Sequence, residues 1–556
     1  MRNLPLVAFA CCCLPFSALA QTDGGEAVRG AQSANPGSDT PADVDRKSGL
    51  ETAPAAGTQT PAAAEAAPAE KPVMAPAPAP AAPKDPDDEV QGKIGVWARV
   101  AFTAVSPVPV DDLGNQVRNF PLETRLRLAP EVHFKGFGFL AEADAATGVV
   151  VGGPDRELVG DRTSERAFQP VELRQLYLQY KWKSGVFRVG QQTSNWGLGL
   201  LANAGSKDAE PGDFGMVRYG SLNWRALLAA RPFYHLGGMW RAIEPVLAAD
   251  LVFDDSNARY LEGDRAFQGV FALRFAQDND NYAGVYVAVR RQRREGVTDG
   301  GRATDVVALD FAAKWQFFKK DDRVLNLGFE IVTINGTTTQ ARNENADVLQ
   351  VHQWGMAAKL NWKMKRGGFH FDFGYASGDQ NPSDDRIESF RMDRDYKVGL
   401  ILFDEILGHQ TARAGVRASD PMLVGVAPEG ADLIGTRGAI TGAWYLFPRI
   451  KLSPTDWFDV WGGPLFAFST AKLTDPFQTR LQGGISRNAL GGDPGSYLGT
   501  ELDLGVQARW TPHEKVTVTF QLEGGLFLPG DAFVGSDNQT IMPPVGLGRA
   551  KVAVNL

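Results

Sequence analysis

The feature that most constrains the fold is a strict alternation of apolar and polar residues. VTVTFQLE (residues 516–523) alternates without interruption, and ELDLGVQARW (residues 501–510) repeats the pattern just upstream. A period of two places successive side chains on opposite faces of a β-strand. Only TPHEK separates the two segments, so we predict an antiparallel hairpin with one apolar and one polar face. A soluble β-sandwich alternates in the same way, and the rest of the chain decides between the two.

The number and spacing of the alternating segments favour a membrane barrel. After residue 90 about eighteen of them follow, each of roughly 9–14 residues, the length that a tilted strand needs to cross a bilayer. KSG, KKDDR, KRGG and SPTD are short connections, and they alternate with long polar loops. Outer-membrane barrels have short periplasmic turns and long external loops, whereas a soluble sandwich has no reason to sort its loops. We therefore predict an all-β transmembrane antiparallel barrel over residues 91–556, in the bacterial outer membrane.

The start of the chain has a different composition. Residues 1–20 have the basic start, apolar centre and Ala-Leu-Ala end of a secretory signal peptide. The three cysteines, residues 11–13, all lie within it, so the mature chain is predicted to have no disulfide; acylation of Cys11 is the alternative. Residues 21–90 are rich in Ala and Pro and are predicted to be a disordered periplasmic linker. The linker is either a spacer or a segment that reaches a periplasmic export partner.

Charge and motifs exclude several function classes. The formal net charge is −8 and no basic stripe is present, which argues against a nucleic-acid partner. The six histidines are scattered, and none forms a recognisable nucleophile motif, so we predict no enzyme activity. Calcium binding by the carboxylates of the acidic segment SGDQNPSDD is an alternative, but the segment lacks the Gly and Glu spacing of a known calcium loop. We accordingly predict neither a cofactor nor a metal.

The alternation also assigns each face to a solvent. In VVALDFAAKWQFF, Leu309, Phe311 and Trp315 share one face, and Asp310 and Lys314 share the other. Outer-membrane lipid is the expected partner of the apolar face. The polar face is expected to line an aqueous lumen, because a barrel of this size is wide enough to hold one.

Basic residues modestly outnumber acidic ones on the predicted inner face. The basic candidates for lining the pore are Arg125, Arg127, Arg174, Arg188, Arg274, Arg290, Arg509 and Arg549, with Lys181, Lys314, Lys359 and Lys551. The acidic candidates are Glu123, Glu172, Asp310, Glu330, Asp372, Glu501, Asp503 and Glu523. Fixed charges select ions by sign, and arginine suits carboxylates. The alternative is that these residues form cross-strand ion pairs that stiffen the wall.

One loop, residues 379–431, is far longer than the others. Its charged candidates for a constriction or lid are Asp379, Asp384, Asp385, Arg391, Arg394 and Asp395, and its apolar segment VGLILFDEILG contains Phe403. An apolar segment of this kind requires burial. We predict that the loop folds into the lumen, the alternative being an external cap. LIGTRGAITGAWYLF (residues 433–447) is predicted to be the next strand.

Two segments resemble the alginate-export family of outer-membrane barrels: FRVGQQTSNWGLG (residues 187–199) and DFGYASGDQNPSDD (residues 372–385). The resemblance implies an eighteen-stranded barrel that exports an anionic polysaccharide through a basic lumen. Export of such a polymer is therefore the predicted function. The alternatives are a general or anion-selective diffusion porin for small anionic solutes, and a structural or adhesive barrel with a closed pore. The terminal Leu556 departs from the aromatic residue that commonly ends such barrels.

Overall fold

The computed structural model describes residues 90–160, 167–205, 211–218, 220–236, 238–276, 281–294, 302–320, 322–341, 345–382, 384–426 and 430–556. The predicted signal peptide and all but the last residue of the predicted linker lie outside these ranges. Within them, no helix has the length and apolar character that a membrane span requires.

The chain forms one closed antiparallel barrel. The sheet contains 20 strand segments. Two of these, Gln116–Asn119 and Arg386–Ile387, are short additions at the rim, which leaves eighteen that build the wall. The wall strands are β1 (Gln91–Pro109), β2 (Leu122–Phe134), β3 (Phe137–Val151), β4 (Gln169–Trp182), β5 (Gly185–Thr193), β6 (Leu222–Ala230), β7 (Ile243–Asp254), β8 (Asp264–Ala276), β9 (Tyr282–Arg294), β10 (Ala303–Lys320), β11 (Arg323–Thr338), β12 (Leu349–Met364), β13 (Gly367–Ala376), β14 (Ala443–Thr455), β15 (Phe458–Ser469), β16 (Tyr497–His513), β17 (Val516–Pro529) and β18 (Val545–Asn555).

Pairing of the first and last strands closes the sheet. Strand β1 pairs with β18 from Trp97 opposite Asn555 to Val105 opposite Leu547. Each other wall strand pairs with its neighbours in sequence, so the barrel leaves no free edge. The predicted fold class and strand number are confirmed.

Short turns lie at one end of the barrel and long loops at the other. The β2–β3 turn is a tight one in which Lys135 and Gly136 both have positive φ, the conformation that suits the twist of a two-residue hairpin. Gln91 pairs with His133 beside this turn, and Asn555 pairs with Thr517 at the same end. Both ends of the barrel domain therefore lie at the short-turn end, which is periplasmic in outer-membrane barrels.

The two faces of the wall differ as the alternation predicts. On β16, Leu502 and Leu504 are 46% and 59% exposed on the outer face, whereas Glu501 and Asp503 are buried on the inner face. Exposed aromatic residues gather at the periplasmic rim, where the rings of Phe137 and Tyr180 lie 4.6 Å apart. An apolar outer band with aromatic residues at its border is the surface that a bilayer requires.

Two long connections run into the lumen. We call residues 194–221 lumenal loop A and residues 377–442 lumenal loop B. The helices are α1 (Arg156–Val159), α2 (Gly408–Ser419), α3 (Pro421–Val424) and α4 (Pro476–Leu481), with a π-helix at Leu402–Leu407 and 3-10 turns at Gly238–Ala242, Tyr260–Glu262, Ala431–Leu433 and Asp531–Phe533. Loop B thus contains the π-helix and two of the α-helices.

Loop B is longer than the sequence predicts. The strand predicted from residue 433 begins at Ala443. The consecutive residues Arg437 and Gly438 both adopt positive φ, as does Gly442 just before the strand, and two successive residues of this conformation interrupt an extended strand. These residues extend loop B and bring Arg437 to the lumen.

The lumenal loops bury their apolar residues inside the barrel. The largest apolar cluster joins Phe214 of loop A and Phe390, Ile401 and Phe403 of loop B to wall residues such as Phe447 and Trp461. The lumen along the wall from β14 to β1 is therefore packed like a protein core. What remains open lies along the opposite wall.

Candidate functional site

Loop A is held to the wall at its start by a buried carboxyl group. Glu330 on β11 is fully buried and accepts the backbone N–H of Leu198 and that of Leu200, the latter at 3.1 Å. The indole N–H of Trp196 donates to Asp310 of β10 at 3.1 Å. Gly197 has positive φ, and a Cβ there would collide with the Glu330 carboxyl group. A glycine at this position permits the close approach.

The middle of loop A reaches the other side of the lumen. Arg449 of β14 donates to the carbonyl oxygen of Gly212 and to the Asp213 carboxylate, both at 2.6 Å. It also pairs with Asp372 at 2.6 Å, and Lys359 lies 3.6 Å from that carboxylate. Burial by itself would raise the pKa of Asp213, but Lys359 and Arg449 lower it below the ordinary value. Asp213 is therefore ionised and bound to the wall.

The end of loop A lies against the strands where the predicted basic candidates cluster. Arg125 donates to the carbonyl oxygens of Val217 at 3.2 Å and Arg218 at 3.4 Å, and Arg174 donates to that of Ala204 at 2.9 Å. Arg125 and Arg127 also pair with the buried Asp144, through Nε contacts of 2.8 and 2.7 Å. These arginines bind loop A and a wall carboxylate, so they are structural side chains in this arrangement.

Six of the other basic candidates also have partners on the inner face. The contacts are Arg188 with Gln179 (3.2 Å), Arg274 with Glu244 (3.7 Å), Arg290 with Asp255 (2.5 Å), Lys359 with Asp372 (3.6 Å), Arg509 with Asp459 (2.8 Å) and Arg549 with Glu523 (3.4 Å). Lys551 is buried on this face, and Lys181 and Lys314 lie half-buried. Cross-strand pairing, the alternative raised from the sequence, thus describes most of these contacts.

Loop B is held by a second buried carboxyl group. Glu501 of β16 is fully buried and accepts three successive backbone N–H groups, those of Leu400, Ile401 and Leu402, the last two at 2.8 Å. Further along the loop, Glu405 accepts the side-chain amide of Asn119 at 2.8 Å. Residues 400–405 of loop B therefore follow the inner wall on the side opposite the open space.

The two lumenal loops are joined to each other through Arg218 and Asp395. The Asp395 carboxylate accepts the backbone N–H of Arg218 at 2.7 Å and that of Gly220 at 2.6 Å. The Arg218 side chain contacts Glu123 of β2 and Asp404 of loop B, each at 3.0 Å. Because one residue of loop A binds the wall and loop B together, the two loops form a single structure inside the barrel.

A cavity of about 580 Å³ lies between loop B and the inner wall from β6 to β12. Its wall residues, such as Asn223, Gln292 and Thr338, sit near the long-loop ends of their strands. The cavity therefore occupies the external half of the lumen. The charged residues that line it are Arg290, Arg386, Arg391 and Arg437, with Asp255, Asp379 and Asp393.

The basic pair Arg391 and Arg437 dominates the charge of this cavity. Arg391 donates to the carbonyl oxygens of Gly435 and Leu433, both at 3.2 Å. Burial and the nearby Arg437 lower the pKa of Arg391 to about 10, so it remains protonated at neutral pH. Burial and the neighbouring Asp395 raise the pKa of Asp393 to about 8, so its carboxyl group is mostly neutral. The cavity is therefore basic at neutral pH.

The loop residues predicted from the sequence have different positions. Asp379 and Arg391 line the cavity, Asp395 joins the two loops, and Phe403 lies in the apolar cluster. Arg394 is buried 3.8 Å from Asp254. Asp384 and Asp385 are not among the residues that line the cavity, and the Asp384 carboxyl group accepts the N–H of Arg386 within its own turn.

Sequence reasoning missed all of loop A. Arg218, Asp213 and Arg437 lie in segments whose inward course depends on partners far away in the chain. The glycines of SNWGLG were the available signal, because they mark a compact turn rather than a continued strand. Within the described residues, no group of three or more His, Cys, Asp or Glu side chains could hold a metal ion.

Comparison with known proteins gives no family assignment. No family model and no curated protein matches the chain. Among solved structures, OccAB1 of Acinetobacter baumannii matches at 8% identity and a TM-score of 0.46, over 84% of this chain and 96% of that one. The outer membrane protein OprD of Pseudomonas aeruginosa matches at 9% identity and a TM-score of 0.44, over 84% and 93%. The resemblance to the alginate-export family gains no support from these comparisons.

The surface of the molecule settles the compartment. Every wall strand is hydrogen-bonded to a neighbouring strand on each side, which closes the sheet. The outer face carries exposed leucine, valine and aromatic side chains along successive strands. A closed barrel is the β-structure that can cross a bilayer. The chain is a bacterial outer-membrane β-barrel.

A substitution of Arg218 tests whether this residue joins loop A to the wall and to loop B. Replacing Arg218 with Met should lower the free energy of unfolding by about 3–5 kcal/mol, because it removes a buried cation from Glu123 and Asp404. Urea unfolding of the protein in lipid vesicles measures this quantity. Arg241→Met, which changes an exposed arginine of a periplasmic turn, is the matched control and should have little effect. Equal stability of the two variants would contradict the arrangement.

Proposed function

We propose that the protein is an outer-membrane channel for the diffusion of small anionic solutes, and that it acts without catalysis. The observation that carries this proposal is the cavity of about 580 Å³ bordered by the basic pair Arg391 and Arg437. A cavity of this volume falls in the range of small-molecule sites, about 300–1,000 Å³. Two arginines beside a mostly neutral Asp393 favour an anion over a cation.

The same geometry weighs against export of an anionic polysaccharide. The described residues of loop A contact β11 near the start of the loop, β14 in its middle and β2 near its end, each through a hydrogen bond. A polymer chain would need both lumenal loops to leave the lumen. Arg125, Arg127 and Arg174, which the sequence assigned to a basic polymer path, are engaged by Asp144 and loop carbonyl oxygens. The diffusion channel is therefore the better supported of the two functions.

Binding of a periplasmic partner protein through the N-terminal linker remains a prediction. The linker, residues 21–90, joins the barrel at the short-turn end, where Gln91 begins β1. A linker in that position reaches periplasmic proteins rather than external ones. Outer-membrane lipid is the partner that the apolar outer face supports.

Ion selectivity tests the proposed function. In planar bilayers with a salt gradient, the wild-type protein should conduct and its reversal potential should indicate a preference for anions. Replacing both Arg391 and Arg437 with Gln should lower the anion-to-cation permeability ratio by about fivefold per charge, since each charge contributes on the order of 1 kcal/mol. Arg241→Gln is the control and should keep the wild-type ratio. A protein that does not conduct, or a double variant with unchanged selectivity, would sink the proposal.

The ionisation of Asp393 predicts a pH dependence. Because the pKa of Asp393 is raised to about 8, its carboxyl group is neutral at lower pH and gains a negative charge as pH rises through that value. Anion preference should therefore fall between about pH 6 and about pH 9, a range in which Arg391, with its pKa of about 10, stays mostly protonated while the Asp393 carboxylate offsets one arginine. Asp393→Asn should remove most of this change. A wild-type permeability ratio that is flat over the same range would contradict the assignment.

A further inference from the structure

The two lumenal loops are bound to the wall by the same device. Glu330 on β11 and Glu501 on β16 are both fully buried on the inner face. Glu330 receives backbone N–H groups from the segment Leu198–Leu200, and Glu501 receives three from Leu400–Leu402. The strands that carry these two residues lie on different sides of the barrel.

We propose that Glu330 and Glu501 are positioning residues whose carboxylates hold the lumenal loops in place and thereby set the open cross-section of the lumen. The effect on conduction rests on the proposed channel function. The effect on the position of the loops does not.

The chemistry of the two segments explains why a carboxylate is needed. Both segments are apolar, Leu-Gly-Leu in loop A and Leu-Ile-Leu in loop B, so their side chains cannot satisfy their own backbone amides. A buried N–H without a partner is costly, and groups of this kind are almost always paired. An ionised carboxyl group only accepts hydrogen bonds and has two oxygens, so one residue can serve several adjacent N–H groups.

A glutamine at either position cannot accept hydrogen bonds from all of these backbone N–H groups. Its side chain has one accepting oxygen, and its NH₂ group would point at an N–H that also needs an acceptor. At Glu501, at least one of the three amides would lose its partner. The barrel itself should persist, because the Glu501 side chain faces the lumen and the strand pairing of β16 uses backbone groups.

The chain offers a matched control two residues away. Asp503 lies on the same strand and the same face, is also buried, and has its carboxyl group beside that of Glu501, yet among the described residues it accepts no backbone N–H of loop B. Asp503→Asn therefore makes the same chemical change, carboxyl to amide, without removing an acceptor from loop B. If any change of a buried carboxyl group loosened loop B, both Glu501→Gln and Asp503→Asn would do so. If the loss of the hydrogen bonds to loop B is the cause, only Glu501→Gln would do so.

Hydrogen–deuterium exchange of the full chain in detergent micelles tests the positioning role directly. In Glu501→Gln, amides in residues 398–404 should exchange at least about tenfold faster than in wild type, because charge-assisted hydrogen bonds protect them. Glu330→Gln should produce its largest change in residues 196–202 instead, so the two variants control each other. Asp503→Asn should leave both segments near wild-type rates. Unchanged exchange in the glutamine variants, or equal acceleration in D503N, would overturn the proposal.

Single-channel conductance of the same proteins tests the consequence for the lumen. Glu501→Gln should conduct more than wild type, and Asp503→Asn should not. Faster exchange with unchanged conductance would overturn the claim that the carboxylate sets the cross-section. A wild-type protein that does not conduct would contradict the proposed function, and the exchange result would still decide the positioning role. If E501Q does not assemble, Glu501→Asp, whose shorter carboxylate cannot reach all three amides, should show the same acceleration to a smaller extent.

Discussion

Every polar backbone group that enters the barrel must find a partner there. A loop in the lumen carries N–H and carbonyl groups that secondary structure does not satisfy, and burial makes each unpaired group costly. This chain meets the requirement with charged side chains on the inner wall. Glu330 and Glu501 accept amides, and Arg125, Arg174 and Arg449 donate to carbonyl oxygens. The course of both lumenal loops follows from these contacts.

The same contacts explain why the lumen is asymmetric. Loop B buries its apolar residues against the wall from β14 to β1, and loop A crosses beside it, so that half of the lumen is a packed core. The remaining space lies along the wall from β6 to β12, where amide and hydroxyl side chains lie among apolar ones. Inner-face charges such as Arg549 and Glu523 form pairs on the wall, whereas Arg391 and Arg437 of loop B line the cavity. Selectivity is therefore assigned to a loop rather than to the wall.

The barrel could be predicted from the sequence because its signal is local. A period of two fixes which side chains face lipid, and it placed Glu330, Glu501 and Arg125 correctly on the inner face. What those residues bind could not be predicted, because each partner lies far along the chain: Glu501 binds residues about one hundred positions away. Loop A escaped prediction for the same reason, since its contacts depend on Arg449 and Arg125. Loop B was found because its long apolar segment cannot remain in water.

We propose that the lumenal loops narrow the lumen to a passage for small solutes. The width of the passage can be measured on the wild-type pore in planar bilayers, by adding neutral polymers of graded length to the bath. Polymers small enough to enter a passage lower its conductance by displacing electrolyte. We expect that only the shortest polymers, comparable in volume to the cavity of about 580 Å³, lower the conductance. Entry of long polymers into the wild-type pore would show that the lumen is open and would contradict this proposal.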